Sequence, residues 1–184
     1  MPQTHTRDTH SVGIVVIGRN EGDRLKHCIN TLPTEVPVVY VDSGSTDGSL
    51  AFAREAGADV IELDICRGFT AARARNQGWR FLLRKYPNMD FVQFVDGDCE
   101  IREHWLEHAI NAVRSEPYLA SVFGRRRERF PDASIYNLLC DDEWNVPVGL
   151  VSSCGGDAFF RTKALKQVNG FFPSTGAPST LSAR

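Results

Sequence analysis

The chain has 184 residues, 42% of them hydrophobic and 24% charged, with a formal charge of -2. That length suits one domain with a real core, and the slightly acidic balance excludes a generic electrostatic nucleic-acid binder, which needs a basic surface. No apolar run reaches the length of a transmembrane helix. The start of the chain, Met1 to Ser11, is polar and lacks the apolar centre of a secretory signal. Residues 1–11 read as a disordered lead-in and residues 173–184, rich in Ser, Thr, Pro and Gly, as a disordered tail. One domain over 12–172 lies between them. The five cysteines (Cys28, Cys66, Cys99, Cys140 and Cys154) are odd in number and never spaced Cys-x-x-Cys. They predict reduced thiols in a cytoplasmic protein, not a disulfide framework or a zinc site.

Val12 to Ile17 predicts a buried strand that stops at Gly18-Arg19-Asn20-Glu21. Leu25, Cys28, Ile29 and Leu32 then follow the spacing of an amphipathic helix, which Pro33 closes. A second strand, Val36 to Val41, ends at the small-residue loop Asp42-Ser43-Gly44-Ser45-Thr46-Asp47-Gly48. A helix to about Ala56 follows, and Gly57 is its stop signal. Val60 to Leu63 is a short third strand, and Thr70 to Tyr86 a long helix before Pro87. The fourth strand is the apolar run ending at Asp96-Gly97-Asp98, and Leu106, Ala109, Ile110 and Val113 mark another helix.

Beyond Pro117 the pattern changes. Leu119 to Phe130 carries Arg125-Arg126-Arg127-Glu128-Arg129. This run reads either as an edge strand protected by charge or as a contact for phosphates or an anionic acceptor. Asp132 to Val148 is an acidic, aromatic connection that includes Asp141-Asp142-Glu143-Trp144. Cys154-Gly155-Gly156-Asp157 leads into a strand-like Ala158 to Phe160, and a short helix starts near Thr162.

Strands alternating with helices predict an α/β fold, a mostly parallel sheet sandwiched by helices. Right-handed crossovers place the strand ends on one edge, so Asn20, Asp42, Asp64 and Asp96 should share it. Ligands of open α/β sheets gather at that edge, and a nucleotide crevice is its natural use. Asp96 and Asp98 point the same way in extended backbone. Two hard oxygen ligands side by side suit Mg²⁺ or Mn²⁺ bridging phosphates; the simpler alternative is a turn, which Asp and Gly also favour.

The usual nucleotide fingerprints are missing. There is no G-x-x-x-x-G-K-[ST] and no G-x-G-x-x-G after the first strand, and no G-x-S-x-G elbow for a hydrolase. His104 and His108 lie one helical turn apart without the Glu of a metalloprotease motif and read as surface residues.

Four segments in order carry a resemblance. Val15-Val16-Ile17-Gly18-Arg19-Asn20-Glu21, Val41-Asp42-Ser43-Gly44-Ser45-Thr46-Asp47-Gly48-Ser49, Ala74-Arg75-Asn76-Gln77-Gly78 and Val95-Asp96-Gly97-Asp98 resemble family 2 glycosyltransferases. These are GT-A-fold enzymes using nucleotide-diphosphate sugars, and the resemblance spans about Val12 to Phe172. It implies that Asn20 and Glu21 lie beside the nucleoside and that Asp42 reads the base or ribose, with Asp47 a loop or helix-start residue. Arg75 and Asn76 would face the nucleotide, Asp96 the ribose or the metal, and Asp98 would ligate Mn²⁺ or Mg²⁺ directly. The implied donor is UDP-linked and the acceptor a saccharide or lipid-linked hydroxyl, which leaves room for transient membrane association.

The sequence also departs from that family. The general base of inverting members follows the segment matching Asn169-Gly170-Phe171, yet no Asp or Glu follows Asp157 through Arg184. The expectation is a C-terminal part that is incomplete, by truncation or a changed reading frame near Phe172. Asp157 and Asp142, within the Asp141-Asp142-Glu143 cluster, are the substitutes for the base. The alternative function is a nucleotide-sugar-binding remnant with little or no transfer activity. A sugar-phosphate nucleotidyltransferase is disfavoured, because the Gly-rich, Arg- and Lys-containing signature is absent after the first strand.

Overall fold

The computed structural model describes residues 11–151, 154 and 156–172; the expected tail over 173–184 and all of the expected lead-in over 1–11 except Ser11 lie outside the described residues. The chain opens with β1 (Val12–Gly18), α1 (Asp23–Asn30), β2 (Val38–Asp42), α2 (Ser49–Glu55) and β3 (Asp59–Glu62). It continues through α3 (Ala71–Lys85), β4 (Phe91–Asp96), α4 (Trp105–Ser115), β5 (Ser121–Val122), α5 (Ile135–Glu143), β6 (Phe159–Arg161) and α6 (Thr162–Val168).

The six strands lie in the order β3-β2-β1-β4-β6-β5. β1 pairs in parallel with β2 and β4, and β2 with β3. β6 runs antiparallel to both β4 and β5. The register sets Gly18 against Asp42 and Ile17 against Asp96, so the expected shared edge forms.

Both faces of β1 are buried, which is why it reads as an unbroken apolar run. Val12, Ile14 and Val16 pack with Leu25 and Cys28 of α1, Ala53 of α2, and Leu106, Ile110 and Val113 of α4. Val15 and Ile17 face the other way, among Ala72, Trp79 and Leu82 of α3 and Leu165 of α6. Gly78 of α3 allows close approach there, since a Cβ on it would fall 2.3 Å from Val15 Cγ1.

Several boundaries differ from the expectation. β2 starts at Val38 because Pro37 has no N–H to pair, although its carbonyl accepts the Ile14 N–H at 2.9 Å. The basic run is not an edge strand: β5 is only two residues long, and the arginines follow it in irregular backbone. The acidic connection contains the helix α5, begun by Ser134, whose hydroxyl accepts the Asn137 N–H at 3.2 Å. All five cysteines are free thiols, and burial pushes the Cys28 thiol up to about 12. Among the described residues, no helix is long and apolar enough to cross a membrane.

Candidate active site

The ends of β1 and β2 are stitched together by their own loops. Asn20, in the left-handed region with φ 55°, accepts the Thr46 N–H on Oδ1 at 2.7 Å. Its own N–H donates to Ser45 Oγ at 2.9 Å. Asp42 is internal, with 1% of its surface exposed. Oδ2 of Asp42 accepts the N–H groups of Gly44 (2.8 Å) and Ser45 (2.7 Å), and Oδ1 accepts the Tyr40 and Ser45 hydroxyls. Asp42 thereby shapes the turn that presents Ser45 and Thr46, with Gly44 at φ 90°. Asp47 accepts the Ser49 N–H at 2.9 Å where α2 begins, which is the helix-start position expected for it. Glu21 Oε2 sits 2.8 Å from the Arg24 guanidinium but outside hydrogen-bond geometry.

A chain of opposite charges closes the end of β4. Arg75, rising from α3 with 4% exposure, donates to Asp96 Oδ1 at 2.6 Å. Arg126 approaches from the other side, Nη2 lying 3.4 Å from Asp96 Oδ2. The same guanidinium grips Asp157 Oδ2 through Nε (2.9 Å) and Nη2 (2.7 Å). Asp157 Oδ1 in turn accepts the Asp96 N–H at 2.8 Å. Burial pushes the Asp96 carboxyl above the usual range, and Arg75 opposes that shift. Gly156 has no room for a side chain: a Cβ would fall 2.2 Å from Arg75 Nη2 and 2.4 Å from Asp96 Oδ2. Asp98, two residues on, is exposed, its Oδ1 3.5 Å from Cys99 Sγ.

The structure therefore groups Asn20, Asp42, Arg75, Asp96, Asp98 and Asp157 at one end of the sheet, with Glu21 beside Gly18 and Gly97. It turns Asn76 elsewhere. The Asn76 amide donates to Phe171 O at 2.6 Å and accepts the Phe171 N–H at 2.9 Å and Trp79 Nε1–H at 3.0 Å. Asp64 caps a short turn through the Cys66 N–H at 3.0 Å. Asp142 is exposed on α5, whereas its neighbour Asp141 is buried. Sequence reasoning left open what Arg126 does and gave Trp144 no part. Arg126 Cζ lies 5.4 Å from the Trp144 ring centroid, and the arginine run itself was the signal for the first.

A family model described as Glycosyl transferase family 2 matches residues 13–168. Glycosyltransferase AglE of Haloferax volcanii is 26% identical over 113 residues, covering 55% of this chain and 35% of that protein. Among solved structures, the mannosyltransferase PcManGT from Pyrobaculum calidifontis, in complex with GDP-Man and Mn²⁺, superposes with a TM-score of 0.65 at 22% identity. That match covers 91% of this chain and 49% of the other. TarS 1-349 of S. aureus, in complex with UDP-GlcNAc, gives a TM-score of 0.59 at 19% identity over 88% of this chain and 48% of that one. Glucosyl-3-phosphoglycerate synthase from Mycobacterium tuberculosis, with Mn²⁺ and UDP, gives 0.54 at 20% identity over 82% and 57%. The chain thus spans about half the length of these structures and about a third of the archaeal relative. With 13–168 matched, the sheet and helices are those of the GT-A glycosyltransferases, and the chain belongs to glycosyl transferase family 2.

Proposed function

We propose that the end of β1, β2 and β4 binds the nucleotide diphosphate of a sugar donor, UDP-linked in the first instance. The reaction is transfer of that sugar to a saccharide or lipid-linked hydroxyl, with inversion. The observation that carries this reading is the ordered charge chain Arg75–Asp96–Arg126–Asp157 beside the exposed Asp98. Displacing a diphosphate from sugar C1 builds negative charge on two phosphates, and preorganised positive groups aimed there lower the barrier. Asn20 and the Asp42-shaped turn fix the loops expected to flank the nucleoside.

Among the described residues, no three His, Cys, Asp or Glu side chains converge so as to hold an ion unaided. A Mn²⁺ or Mg²⁺ site of this kind takes one or two carboxylates and completes its shell with substrate phosphates, and the exposed Asp98 fits that requirement. Asp96, held between two arginines, serves better to fix the strand end. The ion would supply Lewis-acid stabilisation of the leaving diphosphate. Free thiols suit work in the cytoplasm.

A second reading keeps the donor site without transfer. Of the two acids considered as base, Asp157 has both carboxylate oxygens engaged, one by the Arg126 guanidinium and one by the Asp96 N–H. Asp142 is solvent-exposed on α5. Sugar transfer to an acceptor separates the readings. The donor site itself is tested by thermal unfolding with UDP-, GDP- and dTDP-sugars plus Mn²⁺. A specific ligand at a hundred times its Kd stabilises by about 2.7 kcal/mol; a melting temperature unmoved by every nucleotide sugar would overturn the proposal.

A further inference from the structure

Asp141 is the buried member of the acidic cluster on α5, and among the described residues its side-chain hydrogen bonds run to the arginine segment. Its Oδ1 accepts Arg127 Nε–H at 3.0 Å and the Glu128 N–H at 2.9 Å, and its Oδ2 lies 3.5 Å from Arg125 Nη2. The following arginine, Arg129, pairs with Glu100 just after β4. These contacts fold residues 125–129 back on α5 and tie them to the loop after Asp98. Arg125 and Arg127 are spent on Asp141, while Arg126 between them points the opposite way and reaches Asp96 and Asp157. Trp144, at the end of α5, lies beneath its guanidinium.

We infer that Arg126 contacts the donor diphosphate and that Asp141 is the positioning residue that delivers it. This rests on the nucleotide site proposed above. The two site arginines differ in exposure: Arg75 is enclosed at 4%, whereas the Arg126 side chain is 32% exposed. Among the described residues its hydrogen-bond partners sit on Nε and Nη2, so Nη1 keeps two donors for an incoming oxygen. A planar guanidinium already held on one edge by a carboxylate and backed by an indole loses little freedom when its other edge meets a phosphate. The segment that carries it is not part of the sheet, so the sheet does not fix where it lies. Asp141 does.

Calorimetric titration of the whole protein with UMP and then UDP isolates the contact, because the two ligands differ by the terminal phosphate. In the wild type UDP binds more tightly than UMP. Arg126→Ala shrinks that ratio by about tenfold to a hundredfold, the worth of a charge-assisted bond, and leaves UMP affinity within about twofold. Arg126→Lys restores part of the ratio. Asp141→Asn shrinks it too, with UMP binding retained, whereas a merely structural role for Asp141 would weaken both ligands together or neither. A UDP-to-UMP ratio in Arg126→Ala equal to wild type overturns the inference while the nucleotide site stands. A wild type that binds neither UDP nor GDP overturns the site, and the inference with it.

Discussion

Arg75 donates to Asp96 across 2.6 Å at the end of β4, with the arginine almost entirely enclosed and the carboxylate partly open. A guanidinium taken out of water gains only when its partner and remaining donors are satisfied. The pair is therefore a device for orientation. It ties α3 to the last residue of β4, two residues before Asp98.

Arg75→Met leaves Asp96 facing only the longer Arg126 contact. Losing one member of an enclosed pair costs about 3 kcal/mol, measured as a lower urea midpoint at unchanged slope. Arg75→Lys should cost less. A Met variant within about 0.5 kcal/mol of wild type, the spread of ordinary surface changes, would contradict the orientation role.

Asn76→Ala strands the N–H and carbonyl of Phe171 and the Trp79 indole N–H. Each buried polar group left unpaired costs about 1–3 kcal/mol, so stability should fall by about 3 kcal/mol or more. UDP affinity measured well below the new melting temperature should be unchanged. A selective loss of affinity at wild-type stability would return Asn76 to the nucleotide.

Gly78→Ala drives a methyl into Val15, a β-branched residue with little rotamer freedom. Overpacking of this kind costs about 1–3 kcal/mol. Val15→Ala in the same chain should recover part of the loss, and a double mutant no more stable than Gly78→Ala alone would refute the steric cause.

The Asp141 carboxyl is held below the usual range, first by the Glu128 N–H and then by Arg127, with burial opposing. Its contribution to stability is therefore present above the ordinary carboxylate pKa of about 3.9 and is lost as pH falls through its lower folded value. Asp96, raised chiefly by burial, works in the opposite sense. Unfolding midpoints taken from pH 6 downward should fall less steeply below about pH 4 in Asp141→Asn than in wild type. Equal slopes would show that Asp141 is not so held.

The parallel half of the fold was legible because β1, β2 and β4 are buried on both faces and each ends in polar residues. The antiparallel insertion of β6 beside β4 was not, since three residues, Phe159–Arg161, carry no mark of strand direction. The helix α5 escaped for a different reason. Ile135, Tyr136, Leu138 and Leu139 are all exposed, so its apolar residues follow no core-facing period, and Ser134 was its one clear start signal. At the site, the alternation of strands and helices put Asp42 and Asp96 on one edge, and only the family resemblance added Arg75. It could not show that Asn76, one residue beyond Arg75 on α3, faces Phe171 instead. Nor could it sort Asp141 from Asp142, which differ only in which side of α5 they occupy.

The measurement closest to the central claim is titration of UDP, and then GDP, into the wild type and Asp98→Ala, each with and without Mn²⁺. Manganese should tighten nucleotide binding to the wild type by about tenfold or more and leave Asp98→Ala unaffected. An equal manganese effect in both proteins would remove Asp98 from the metal, and no binding of either nucleotide under any condition would contradict the donor site itself.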